Sequence, residues 1–183
     1  MKIAVSFIVL SSFVSSCMFS KCKVVQLSTN EKEWLKPFKL GQKWIYVSDR
    51  NNFDTLNVVQ IRDELTPCNR LERSEFQFNL IDVSFESNRF GHVYMLFTAT
   101  ESGSISRDFS FSDLSGFYYG NEVNKCIDKI KVKSISDSVV VYTFNQATTG
   151  DYGFEKISSF SWSKEHGIVR YITKEDEIFE LVK

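Results

Sequence analysis

The 183-residue chain is of single-domain size and carries 22 Lys+Arg against 23 Asp+Glu, a formal charge of −1 that argues against nucleic acid as a partner, which needs a basic face. Seventeen phenylalanines, two prolines and Ser-rich alternating stretches point to β-sheet. A chain this long buries enough surface to fold without a metal or disulfide staple.

Met1 to Cys17 opens with a lone Lys2, an apolar run from Ile3 to Leu10 continuing through Phe13 and Val14, and then Ser15-Ser16-Cys17. A short positive start, an apolar segment of secretory length and small residues at its end predict a signal over residues 1–16 rather than a transmembrane span. Val14-Ser15-Ser16-Cys17 resembles the lipobox of bacterial lipoproteins. That resemblance implies acylation at Cys17 and a membrane anchor with no helix left in the bilayer. Residues 17–30 then read as a lipidated tether, and 31–183 as one β domain. Met18-Phe19-Ser20-Lys21 has no acidic residue directly behind the cysteine. This favours an outer-membrane protein facing the periplasm.

With Cys17 assigned to lipid, Cys22, Cys68 and Cys126 remain, an odd number for an exported chain. One disulfide plus a thiol fits, and so do three thiols. The C-x-x-C spacing of zinc and thioredoxin-like sites is missing, so no metal or cofactor is expected. Because Cys22 falls in the tether, Cys68 and Cys126 are the expected pair.

Glu31 to Lys36 suits one helical turn capped by Asn30 and stopped by Pro37. Phe38 to Val47 runs into a strand, Asp49-Arg50-Asn51-Asn52 is a turn cluster, and Asp54 to Ile61 returns. A parity switch at Val58-Val59 predicts a bulge or a strand covered on both faces, and one at Leu80-Ile81 predicts a second bulge within Phe76 to Phe85. Val93 to Thr100 is a nearly continuous apolar run, and strict alternation follows through Ile105, Phe109 and Phe111. Asp113 to Lys125 is the least regular stretch and reads as a wide connection. Ile127 to Ile135, Val139 to Asn145, Phe154 to Ser163, Gly167 to Thr173 and Ile178 to Val182 complete about ten antiparallel strands, with a loop over Ala147 to Gly153. The predicted fold is an all-β meander whose bent sheet closes toward a barrel or sandwich. Trp44 is expected in the core, with Trp34 packed across one end.

Trp34-Leu35, Phe38, Gly41 and the following aromatic strand, with the closing Phe160-Ser161-Trp162 to Gly167-Ile168-Val169, resemble the two ends of small β-rich lipoproteins from Bacteroidetes-type bacteria. The likeness covers the lipobox and both ends. It implies a β-rich lipoprotein of uncharacterised role and carries no catalytic residues with it.

His92 and His166 are the only histidines, each beside a glycine at a strand start or hairpin. Without G-x-S-x-G, H-E-x-x-H or a cysteine–histidine signature they read as turn residues, and no catalytic residue is assigned. Lys129, Lys131 and Lys133 form a cationic row that suits solvation of a sheet edge better than lipid binding. The acids of Asp49 to Asp54 lack the EF-hand pattern and read as a solvated hairpin tip. Phe117-Tyr118-Tyr119, between two glycines, is the candidate ligand-contact loop, since ring side chains on a connection stack on sugars, peptides or apolar molecules. Tyr118 on such a loop is expected to be thermally silent when truncated.

The function these residues imply is a non-catalytic, membrane-anchored envelope module whose partner is an envelope protein, a glycan or a small apolar ligand. A lipocalin-like carrier is the second reading and an envelope hydrolase the third. An empty apolar interior would favour the carrier. A filled core with an exposed aromatic patch would favour the module.

Overall fold

The computed structural model describes residues 22–68, 76–112, 114–145 and 156–182. The fold is all-β. Its strands are β1 (Lys23–Val25), β2 (Lys43–Ser48), β3 (Phe53–Leu65), β4 (Phe76–Ser87), β5 (Gly91–Ala99), β6 (Ile105–Phe111), β7 (Leu114–Tyr119), β8 (Ile127–Lys131), β9 (Ser138–Asn145), β10 (Ile157–Ser163), β11 (Gly167–Thr173) and β12 (Ile178–Leu181). The hydrogen-bonded order is β7-β6-β5-β4-β3-β2-β12-β11-β10-β9-β8, with β1 added parallel to β4. Neighbours along that row are antiparallel and consecutive in sequence except β2 and β12, where the two ends of the domain meet. The sheet curls into a half-barrel that stays unpaired between β7 and β8. A 3₁₀ turn (Glu122–Cys126) carries the chain across that seam.

Curling sets the rings of opposite halves against one another. Phe109 on β6 lies 4.6 Å from Phe144 on β9, and Phe111 lies 4.6 Å from Tyr171 on β11. Phe85, Phe97, Phe160 and Trp162 are fully buried between them. Trp44 and Trp34 are both buried, as their place in the sequence predicts. Trp34 sits on the 3₁₀ turn Glu33–Leu35 that follows a short helix, α1 (Thr29–Lys32), and touches Phe97, Phe109 and Tyr142. Ser28, rather than the expected Asn30, caps the helix by accepting the Glu31 N–H. Arg107 fastens this plug to β6. Its Nη2 and Nε lie 2.7 and 3.2 Å from the two Glu31 carboxylate oxygens, and its Nη1 donates to the Gly120 carbonyl.

A second fastening lies outside the barrel. Arg170 on β11 donates to the Lys131 carbonyl at 2.8 Å, and the Ser134 hydroxyl donates to the Leu181 carbonyl. The segment after β8 therefore crosses the outer face toward β12. Val132, Val139 and Val141 are buried with it.

The structure corrects several expectations about the course of the chain. The stretch read as a tether to Asn30 holds β1 and the start of α1, because Lys23–Val25 lies alongside Phe76–Phe78 of β4. Cys68 is bonded to Cys22, at a Cα–Cα distance of 6.3 Å, and the expected Cys68–Cys126 pair does not form. Docking of β1 brings Cys22 to the end of β3, while Cys126 is buried at the seam. A bridge across this sequence separation of 46 residues stabilises by about 4 kcal/mol on the chain-entropy model. The irregular stretch after residue 113 contains a further strand, β7. Finally, the expected bulge at Leu80-Ile81 is missing: pairing with β3 and β5 runs through both residues without a shift. Phe76, Phe78 and Leu80 instead occupy the outward positions of an unbroken strand, and Lys23 lies over Phe76 beyond the end of β5. The bulge expected at Val58-Val59 is present, as a register shift between Val58 and Gln60.

Candidate functional site

Phe117, Tyr118 and Tyr119 lie on edge strand β7, not on a loop, and alternation divides them. Tyr118 turns inward, where it is buried against Phe109 and Phe144. It belongs to the core, which overturns its expected thermal silence. Phe117 and Tyr119 turn outward, 59% and 52% exposed, with ring centroids 5.2 Å apart.

Register builds the surface around these two rings. Phe117 is paired with Asp108, which is paired with Leu96, and Tyr119 with Ser106 and then Thr98. The next row holds Ser115, Ser110 and Tyr94. The outward face of β5–β7 thus offers two exposed rings beside a carboxylate and several hydroxyls, with His92 at its end, and Arg107, the only Lys or Arg on these three strands, points into the core. The Tyr94 hydroxyl donates to Asp108 Oδ2 at 2.9 Å. Burial pushes the Asp108 carboxyl above the usual carboxylate range, partly offset by the Tyr94 hydrogen bond. Burial, with the Asp108 charge, pushes the Tyr94 hydroxyl up to about 12. One strand further, Asp82 is buried and held by Arg62 at 2.6 Å and Gln60 at 2.7 Å. Asp82 is therefore occupied, whereas Asp108 is paired directly with Phe117, and the Glu122 carboxylate accepts from the Tyr119 N–H at 3.1 Å.

The other candidates disperse. His92 is exposed at the start of β5, beside Tyr94. His166 lies in the β10–β11 hairpin, at the lip of a cleft of about 490 Å³ lined also by Ile135, Asp137, Val140, Tyr142 and Lys164. Its Nε2 is 3.8 Å from Glu165 Oε2, too far for a hydrogen bond. Lys129 and Lys131 are exposed on β8, the opposite edge of the sheet, while Lys133 lies beyond the strand end. Asp54 is a correction: it is buried rather than at a solvated tip, and its Oδ2 accepts from Ser87 and Tyr171, each at 2.8 Å. Cys17, the signal over 1–16 and the loop over Ala147 to Gly153 lie outside the described residues.

Asp108 and Tyr94 were missed in the sequence because they join Phe117 only through cross-strand register. The alternation of β6 shows Asp108 facing outward, but nothing local marks its neighbours. Compared with protein-family models, with curated proteins and with solved structures, the chain matched none.

Proposed function

We propose that this chain is a lipid-anchored envelope module that binds glycans without catalysis, through the outward face of β5–β7. The observation that carries the reading is the pair of exposed rings, Phe117 and Tyr119, set beside Asp108, Ser106 and Tyr94. Rings offer a flat apolar surface to the C–H face of a sugar, and carboxylate and hydroxyl oxygens accept from its hydroxyls. A face with acceptors and no outward Lys or Arg suits a neutral polyol better than an anionic partner. The ring-filled interior supports a module over a lipocalin-like carrier, which needs a cavity. The lipobox likeness at Val14-Ser15-Ser16-Cys17 and the resemblance to small Bacteroidetes-type lipoproteins supply the anchor and the outer-membrane, periplasm-facing location.

The test is binding to an array of neutral bacterial oligosaccharides. Phe117→Ala/Tyr119→Ala is expected to weaken binding at least about tenfold, the equivalent of about 1.4 kcal/mol. Both rings are exposed, so Tm should stay near the parent value. Tyr118→Ala, in the core, should instead cost about 3 kcal/mol in denaturant unfolding. No binding by the parent, or equal binding by the double variant, overturns the reading. The anchor has its own test: Cys17→Ser should leave an unprocessed or soluble chain, and labelled fatty acid still incorporated in that variant would refute it. The parent should stay in the membrane pellet through a high-salt wash, which multiple acylation allows and a single chain does not.

A further inference from the structure

We propose that the tip formed by β1, the end of β3 and the start of β4 rests on the bilayer surface. The proposal builds on acylation at Cys17. Cys22 lies five residues on, so extended chain places it at most about 18 Å from the lipidated residue. Cys22 cannot gain slack by peeling away, because the disulfide ties it to Cys68 beyond the end of β3.

The tip also projects from the half-barrel. β2 and the residues just before it bond to β3 only as far as Val58, and β3 continues to Leu65. β5 pairs with β4 from Leu80 onward, leaving residues 76–78 to β1. Exposed apolar side chains lie on this projection beside the ion-paired Arg62, Asp63 and Glu64. Val24 is 47% and Leu65 40% exposed, and the rings of Phe76 and Phe78 stack 6.1 Å apart with both side chains half-buried. Lys23 lies 5.4 Å over the Phe76 ring, the arrangement in which a lysine stem covers an apolar surface and its ammonium reaches outward toward a phosphate. The acids nearby are engaged: Asp63 with Lys32 at 2.9 Å and Glu64 with Arg62 at 3.4 Å. Apolar side chains set among paired charges, with the Lys23 ammonium reaching outward and a five-residue leash to the lipid, fit the headgroup region of a bilayer.

The experiment uses the full lipidated chain in phosphatidylethanolamine/phosphatidylglycerol vesicles containing lipids brominated near the glycerol. Tryptophan is introduced singly at Val24→Trp, Leu65→Trp or Phe53→Trp, and quenching is read above the parent. Phe53 is 67% exposed at the far end of β3, about 40 Å from Leu65 along the strand. Quenching at 24 and at 65, at least twofold above that at 53, is the expected result. Two positions are used so that one poorly folded variant does not decide the matter. If the protein floats with the vesicles yet positions 24 and 65 are quenched no more than 53, the tip proposal is overturned while the anchor stands. A chain that does not float at all overturns the anchor, and the tip proposal with it.

Discussion

Gly167→Ala is expected to destabilise the domain by about 2–5 kcal/mol, from two separate causes. Gly167 has φ of +72°, in the left-handed region that a Cβ disfavours. A Cβ placed there would also lie 2.5 Å from the Trp44 ring and 2.8 Å from Phe38. The β10–β11 hairpin thus presses bare backbone onto the rings that fill this part of the core. Trp44→Ala alone should cost about 3–5 kcal/mol, since it removes a buried ring stacked on Phe85 and packed against Phe38. The two changes should not add. Truncating Trp44 removes the closest contact and opens space into which Phe38 can yield, leaving mainly the backbone cost, so urea unfolding of the double variant should show coupling of about 1–2 kcal/mol. Strict additivity would mean that the hairpin yields without pressing on the ring.

The second large effect concerns the ion pair that holds the N-terminal plug. Arg107→Met leaves the Glu31 carboxylate buried without its partner, together with the Gly120 carbonyl. Breaking a buried pair in this way typically costs about 3–5 kcal/mol. Replacing both partners, as Glu31→Leu/Arg107→Met, should recover most of that loss, because an apolar pair of similar volume carries no desolvation penalty. Denaturant midpoints of the three variants decide the matter. A double variant as unstable as Arg107→Met alone would assign the effect to lost packing against Phe97, over which the guanidinium lies at 5.8 Å.

Long-range order was legible where one face of a strand is buried and the other wet. Trp44 and Tyr46 on β2 and the run from Val93 to Ala99 kept their parity, and the break at Val58 marked a true bulge. The similar break at Leu80-Ile81 had another origin, because Phe76 and Phe78 are outward apolar residues beyond the barrel end. Parity alone does not separate a shifted register from a strand apolar on both faces. β7 was hidden for a related reason. Gly116 fills an inward position and the rings of Phe117, Tyr118 and Tyr119 fall on both faces, so alternation leaves no trace in side-chain type. β1 is three residues long, too short to show any period, and with it went the partner of Cys68. The exposed rings of the candidate site were visible in the sequence. Their polar neighbours were not, since Asp108 and Tyr94 arrive from two other strands.

The pairing of β2 with β12 also sets an order of events. Tyr46 meets Leu181, so the first long strand of the domain finds its second neighbour only in the last. A chain emerging from its N-terminus can form the β2–β3 and β4–β5 hairpins early, because those contacts are local. The other edge of β2 stays a row of unpaired donors and acceptors until residues 178–181 are out. During that interval it is a template for strands of other chains, and a chain cut before Ile178 would keep it so permanently. The last few residues therefore act as the latch of the fold, and the speed at which they reach β2 governs how long the nascent chain stays adhesive.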